Sequence, residues 1–285
     1  MTFYSLLATA AAALAQAGVE DSHLEAELLL RHCLSVSRSG LFLLHKHEVT
    51  PEQARQFHEL LRRRCQREPL QYITGSCEFW SLTFLVNAAV LIPRPETEFL
   101  LEHVLAVLAV EQCQPQQILD LCTGSGVIAT VLAKELPHAT VTALDCSLAA
   151  LSVARNNVLR HQLESLISFL CADLLTALRP EAQFDLIVSN PPYIKANDIP
   201  TLEPEVRDWE PQLALSGGTS GMEIIDLICT QGARHLRPGG WLFMEIGADL
   251  EADVKAALLQ TGAFEQIEII PDWVGRPRVA QGKKR

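Results

Sequence analysis

Positive charge is scarce in this chain: 23 Lys and Arg stand against 34 Asp and Glu, for a net charge of −11. Duplex nucleic acid and anionic membrane surfaces are gripped by clustered cations, so neither is expected as the main partner. Long apolar runs are missing too, with none near the roughly 18 residues of a membrane span. The eight cysteines lie between Cys33 and Cys229 without a C-x-x-C pair. That spacing fits a reduced, cytoplasmic chain better than a disulfide-stapled secreted one. No Lys or Arg precedes Arg31, so the apolar stretch 6–15 lacks the basic flank of a signal peptide and reads as a helix. No internal repeat or low-complexity segment is present. A chain of 285 residues buries roughly 75% of its unfolded surface, so its core requires neither disulfides nor metal.

The first third carries helical periodicity. Leu6, Leu7, Ala10, Leu14 and Ala17 share one face, and Gly18 can end that helix. Leu24, Leu28, Leu29 and Cys33 repeat the pattern. A further helix opens at Thr50-Pro51-Glu52-Gln53, a capping box with Pro at the first helical position, and its stripe is Phe57, Leu60 and Leu61. Arg62, Arg63, Arg64 and Arg67 crowd its end. They suit the negative pole of the helix dipole, or form a docking patch for an acidic partner; both readings stand at this point. Phe79, Trp80, Leu82, Phe84 and Val86, after Gly75, suggest a β-hairpin. The expected organisation is a helical substrate-docking domain at 1–72, a hairpin linker at 73–90 and a second domain at 91–285.

The remainder alternates strand and helix. Strand-length apolar runs fall at 118–121, 141–144, 167–170, 184–188 and 241–246, separated by helical stretches at 127–136, 147–159 and 222–236. Such alternation predicts an α/β fold, a parallel sheet with helices on both faces. The late strands 264–270 and 278–281 have no helix between them, so they must pair antiparallel and the sheet ends in a reversed strand. This layout resembles the seven-stranded Rossmann-like methyltransferases.

Asp120-Leu121-Cys122-Thr123-Gly124-Ser125-Gly126 sits between the first strand of that sheet and the next helix. Its glycines let the backbone turn tightly and approach a ligand closely. Gly124 and Gly126 with Ala129 also match a dinucleotide fingerprint, so the loop alone is a weak signal. Asp145 ends the second strand and can accept both ribose hydroxyls of either NAD or S-adenosylmethionine. Asp120, an acid at the strand's end, suits a ligand with a cationic amino-acid tail rather than a pyrophosphate. Asp173-Leu174, after the third strand, is expected beside the adenine, although Asp173 also fits an ordinary turn.

The chemistry is written in Asn190-Pro191-Pro192-Tyr193, directly after the fourth strand. In a sheet of order 3-2-1-4-5, strands one and four are neighbours at the topological switch point. Asn190 and the glycine loop are therefore expected in one crevice. A planar NH2 on an sp2 carbon is a poor nucleophile because its lone pair is delocalised. The Asn190 side-chain oxygen and the Pro191 carbonyl are suited to accept both N–H bonds, aiming the lone pair and opposing the charge that develops on methylation. Tyr193 is expected to pack on the planar group.

On these residues the chain resembles the peptide-chain release factor glutamine N5-methyltransferases (HemK type). Glu68-Pro69-Leu70-Gln71-Tyr72-Ile73-Thr74-Gly75 with Glu78-Phe79, Leu91-Ile92-Pro93-Arg94-Pro95-Glu96-Thr97-Glu98, and Glu210-Pro211 with Ala214-Leu215-Ser216-Gly217-Gly218 resemble other family signatures. The resemblance implies S-adenosylmethionine as donor and the glutamine of Gly-Gly-Gln in class-1 release factors as acceptor, with S-adenosylhomocysteine as product. It implies donor contacts from Cys122, Thr123, Gly124, Ser125, Gly126, Asp145, Asp173, Leu174 and Asn190, and acceptor contacts from Asn190, Pro191, Pro192 and Tyr193. Arg94, Glu96 and Thr97 either close over the donor's methionine end or simply form an acidic helix start. A monomer free of nucleic acid, membrane and metal is expected. Cys122 stands where many members carry Gly, and Leu174 where some carry an aromatic residue. Competing readings are a glutamine methyltransferase of a ribosomal protein, an adenine-N6 nucleic-acid methyltransferase, an NAD-dependent oxidoreductase, and a release-factor-binding module without catalysis. The charge opposes the nucleic-acid reading, and Asn190–Tyr193 is unexplained by the oxidoreductase.

Overall fold

The computed structural model describes residues 1–285, which divide into two compact units. The first comprises Met1–Ser76 together with Glu203–Trp209, the second Cys77–Leu202 together with Glu210–Arg285. No helix is long and apolar enough to cross a membrane.

The first unit contains helices α1 (Phe3–Gln16), α2 (Ser22–Leu34), α3 (Arg38–Leu44), α4 (Pro51–Cys65) and α5 (Leu70–Thr74). The Thr50 capping box forms at the start of α4: Thr50 Oγ1 accepts from Gln53 N at 3.2 Å, and Gln53 Oε1 accepts from Thr50 N at 3.1 Å. The core gathers Phe3, Leu6, Leu14, Leu29, Leu30, Phe57 and Leu61. In α2 the buried face is Ala26, Leu29 and Leu30, while Leu24 is exposed, contrary to the expected stripe. Three consecutive leucines at 28–30 leave the helical phase ambiguous, and packing against the other helices selects the face of Ala26, Leu29 and Leu30.

The arginine cluster is consumed inside this unit. Arg62 pairs with Glu59 at 2.6 Å and Arg63 with Glu68. Arg64, buried, bonds Glu25 and, at 2.8 Å, Glu205. Arg67 grips both oxygens of Glu205 at 2.6 Å and donates to Gly18 O at 2.9 Å. With their donors so committed, Arg63, Arg64 and Arg67 form no free basic patch, which overturns the docking reading for them.

The second unit starts at Cys77, inside the hairpin of β1 (Ser76–Phe79) and β2 (Leu82–Leu85), turned by Trp80 and Ser81, both at positive φ as a primed two-residue turn demands. Then follow α6 (Pro95–Val110), β3 (Gln117–Leu121), α7 (Val127–Glu135), β4 (Thr140–Asp145), α8 (Leu148–Arg160), β5 (Ile167–Cys171) and β6 (Phe184–Ser189). The rest comprises α9 (Pro204–Trp209, in the first unit), α10 (Gln212–Leu215), α11 (Glu223–His235), β7 (Leu236–Glu245), α12 (Glu251–Gln260), β8 (Phe264–Pro271) and β9 (Pro277–Lys284). The seven-stranded sheet has the order β5-β4-β3-β6-β7-β9-β8, parallel except at β9. The reversed last strand is therefore present, but it lies inside the sheet and β8 forms the edge. One core, under α6 and α7, contains Leu100, Leu101, Ile128, Leu132 and Phe243; the other, under α11 and α12, contains Ile187, Ile225, Ile228, Met244 and Leu258. The sheet is a fully covered layer, which is why its strands read as continuous apolar runs.

Candidate active site

The carboxyl ends of β3, β4, β5 and β6 open onto one cleft of about 200 Å3. Its wall includes Thr97, Cys122, Thr123, Gly124, Ser125, Asp145, Asp173, Leu174, Asn190 and Pro192, with Arg94 and Leu213 at other parts of the lining. Strands β3 and β6 are hydrogen-bonded neighbours, with Leu121 opposite Ser189, and Ser189 Oγ donates to Leu121 O at 2.7 Å. This pairing is what carries the glycine loop and Asn190 to the same place.

The loop after β3 turns through left-handed backbone at Cys122, Gly124 and Gly126, with φ of 62°, 54° and 81°. At Gly126 an added Cβ would fall 2.9 Å from the Cβ of Ala154 on α8, so glycine is required there by packing as well as by φ. Cys122 holds the same region with a side chain attached, a conformation that costs of order 1–3 kcal/mol and has to be imposed by its surroundings. Asn157, fully buried on α8, fastens the loop: its Nδ2 donates to Ser125 O at 2.9 Å and to Leu85 O at 3.0 Å.

Asp145 accepts from Gly124 N and from Ser147 N, each at 2.9 Å. Its two oxygens thus brace the loop and the start of α8 while remaining on the cleft wall. Asp173 is exposed at the cleft, and Leu174 lies against it in a left-handed conformation with φ of 46°. Arg94 is already partnered: it donates to Glu210 at 2.6 Å. Burial pushes the Glu210 carboxyl up, and the Arg94 charge offsets part of that rise.

Several expected residues lie outside the cleft wall. Asp120 is fully buried beneath the loop, where its Oδ2 accepts from the Thr123 hydroxyl and, at 3.0 Å, from Ala129 N. Burial pushes it up to about 7 against the pull of those two donors. It braces the loop and has no surface with which to meet a ligand's tail, which corrects the reading of Asp120 as a direct contact. Gly126 is turned to α8, and Glu96 stands on the first turn of α6 away from the lining. Pro191 is buried outside the lining. Tyr193 packs against the core under α11 and α12, and its hydroxyl donates to Glu245 Oε1 at 3.1 Å. Its ring therefore forms no part of the lining that Asn190 and Pro192 share.

The segment following Tyr193 is clamped by the later Ser216-Gly217-Gly218 stretch. Ile194 N donates to Leu215 O and Gly217 N to Ile194 O, both at 2.9 Å. A Cβ on Gly217 would fall 2.7 Å from the Tyr193 Cα, so only glycine permits this approach.

Asn190 is half-buried, and its Nδ2 donates to Thr97 Oγ1 at 2.9 Å. Thr97 in turn donates to Glu245 Oε2 at 2.7 Å. Sequence reasoning missed Glu245 and Asn157. A lone acid closing the apolar run 241–244 was the available signal for the first; an Asn within a helical apolar face was the signal for the second.

Residues 5–75 match the family model described as PrmC N-terminal domain, and residues 95–202 match the methyltransferase small domain. A release factor glutamine methyltransferase of Koribacter versatilis is 43% identical over 284 residues, covering 100% of this chain and 99% of that protein. One of Moorella thermoacetica is 42% identical over 98% of this chain and 97% of its own. Among solved structures, a methyltransferase from Pyrococcus furiosus superposes with a TM-score of 0.53 at 18% identity, over 72% of this chain and 90% of that one. The N-terminal domain of human METTL16 in complex with SAH gives 0.51 at 18% identity, over 71% and 76%. These structural likenesses speak to the fold.

Proposed function

The chain belongs to the release factor glutamine methyltransferases, and from that membership we propose that it methylates the side-chain nitrogen (N5) of the glutamine in the Gly-Gly-Gln motif of class-1 peptide chain release factors. The observation that carries the reading is the placement of Asn190: it shares a cleft with the glycine loop and Asp145, with its Nδ2 already taken by Thr97 and its Oδ1 left to accept.

S-adenosylmethionine fits the chemistry of the cleft and supplies, when bound, a methyl group carried on a positively charged sulfur. Asp145 offers carboxylate oxygens to the ribose, Cys122–Ser125 a tight loop to the amino-acid end, and Leu174 with the Asp173 backbone an aliphatic seat to the adenine. Arg94 closes the same wall, while the Thr97 hydroxyl is committed behind it to Glu245 and Asn190.

The amide nitrogen of the acceptor holds its lone pair in conjugation with its carbonyl. Asn190 Oδ1 accepts one of its N–H bonds from the cleft wall; the second is assigned to the carbonyl of Pro191, a residue that lies behind that wall and would meet the acceptor only through its backbone, and the pair would fix the amide plane and oppose the positive charge that grows on nitrogen during transfer. Prolines at 191 and 192 keep this lip rigid, since each has a locked φ. No base has to act first, because the methylated nitrogen becomes acidic and loses its proton afterwards. Pro192 lines the acceptor's path, and Tyr193 acts from behind the lip through Glu245. The helical unit is the natural holder of an intact release factor.

The test is incubation with labelled donor and a release factor carrying either Gly-Gly-Gln or Gly-Gly-Ala, followed by peptide mass mapping. Label is expected on the glutamine alone; label elsewhere, or equal label on both proteins, would sink the proposal. Asn190→Ala is expected to cut turnover by roughly 10² or more while calorimetric binding of the donor changes little.

A further inference from the structure

Behind Asn190 runs a chain of hydrogen bonds that ends on a buried carboxylate. Glu245, the last residue of β7, is 1% exposed, and both of its oxygens are used: Oε2 accepts from Thr97 at 2.7 Å and Oε1 from Tyr193 at 3.1 Å. Thr97, 2% exposed, accepts in turn from Asn190 Nδ2 at 2.9 Å.

We propose that Glu245, acting through Thr97, sets which end of the Asn190 amide faces the acceptor glutamine. The inference rests on the reading of Asn190 as the acceptor of the glutamine N–H.

Proton counting decides the orientation. Against its burial, Glu245 is met by the Thr97 and Tyr193 hydroxyls, one on each oxygen, and by the charge of Arg278, all of which favour the ionised form, and an ionised carboxylate only accepts. Thr97 owns a single hydroxyl proton, and Glu245 takes it. The Thr97 oxygen is then left with lone pairs alone, so the group that meets it must be a donor. An Asn amide offers NH2 on one side and oxygen on the other, nearly identical in shape. Turned one way, NH2 meets Thr97 and Oδ1 faces the cleft. Turned the other way, Oδ1 meets a second oxygen with no proton between them, and the NH2 faces the cleft, where it would oppose the NH2 of the glutamine. The carboxylate therefore breaks a symmetry that steric fit leaves unbroken. Tyr193 secures the other oxygen. Burial holds its hydroxyl well above the usual phenol range, so it keeps its proton, and Arg278 Nη1 approaches its oxygen at 3.5 Å, which turns that proton toward Glu245.

The arrangement also implies a pH dependence. Burial pushes the Glu245 carboxyl up; the bonds from Thr97 and Tyr193 and the charge of Arg278 on β9 pull it back, while Glu96 on α6 pushes the same way as burial. Once protonated, Glu245 can donate, and the direction of the chain is no longer imposed. Activity is present above that titration and is lost as pH falls through it.

The test uses the full-length protein with an intact release factor. Thr97→Val, which keeps the shape and deletes the hydroxyl, is expected to lower kcat about tenfold, the scale of one misdirected hydrogen bond, with KM for the release factor within about threefold of wild type. Binding of S-adenosylhomocysteine by calorimetry and the melting temperature are expected to stay near wild type, and Thr97→Ser is expected to restore most of kcat. Glu245→Gln is expected to remove the acid limb of the kcat profile. Wild-type kcat in Thr97→Val, a loss confined to KM or melting temperature, or an unchanged acid limb in Glu245→Gln overturns the proposal. If Asn190→Ala is inactive while Thr97→Val is unaffected, the relay fails and the reading of Asn190 survives. If Asn190→Ala turns over like wild type, the reading itself fails.

Discussion

Asp120 braces the glycine loop from below, and its burial has a measurable signature. Its folded-state value of about 7 lies above the ordinary 3.8, so between these limits the folded chain holds a proton that the unfolded chain releases. The contribution of Asp120 to stability is therefore most favourable at low pH and falls as pH rises from about 4 to about 7. Asp120→Asn removes this dependence. Urea unfolding of wild type and variant across that range is expected to show the variant gaining on wild type as pH rises; parallel curves would show that Asp120 does not titrate there. Comparing the two proteins cancels the carboxylates that titrate in the opposite sense, such as Asp185, where burial is outweighed by the Gln116 and Gln117 amides and Arg237. At the same scale, Cys122 tolerates a backbone conformation usually left to glycine, and Gly126 and Gly217 are held to glycine by neighbours 2.9 and 2.7 Å from where a Cβ would lie.

At the scale of elements, the short helix α9 is the unexpected piece. Its residues follow β6 in the chain, yet Glu203–Trp209 cluster with the helical unit, where Glu205 binds Arg64 and Arg67. Burial by itself would raise Glu205, but the hydrogen bonds from the two arginines hold it below the usual carboxylate range. Arg64 is 4% exposed and serves Glu25 and Glu205 together, so its removal strands Glu25 and leaves Glu205 to Arg67 alone. Arg64→Leu is expected to destabilise the helical unit by about 3 kcal/mol, the lower end for breaking a buried ion pair, because both acids keep some access to water. Thermal unfolding followed by circular dichroism checks this, and a change under 1 kcal/mol would mean that the cluster contributes little. Periodicity found α1, α4 and the hairpin because each carries its own signal: a stripe, a capping box, two strand-length runs around a turn. The phase of α2 was not legible, since Leu28, Leu29 and Leu30 fit more than one face and only packing against the other helices selects among them.

For the molecule as a whole, the division into two units predicts where a ligand is felt. S-adenosylhomocysteine at about 100 times its Kd adds about 2.7 kcal/mol to the stability of the unit that holds the cleft. Hydrogen exchange is expected to slow at residues 120–130, 144–150 and 172–175 and to stay unchanged at residues 1–60; protection confined to the helical residues would place the donor site elsewhere. The sequence by itself determined the α/β alternation and the position of the glycine loop, Asp145 and Asn190 at the strand ends, because each depends on local chemistry: a period, a turn, a polar residue at a strand's end. The tertiary structure alone decided what stands behind them. Glu245 lies 148 residues from Thr97, and Glu205 138 from Arg67. Such partners meet only after strands and helices have packed, and burial, which no short stretch of sequence specifies, is what makes a carboxylate at Asp120 or Glu245 a support for the site rather than a part of its surface.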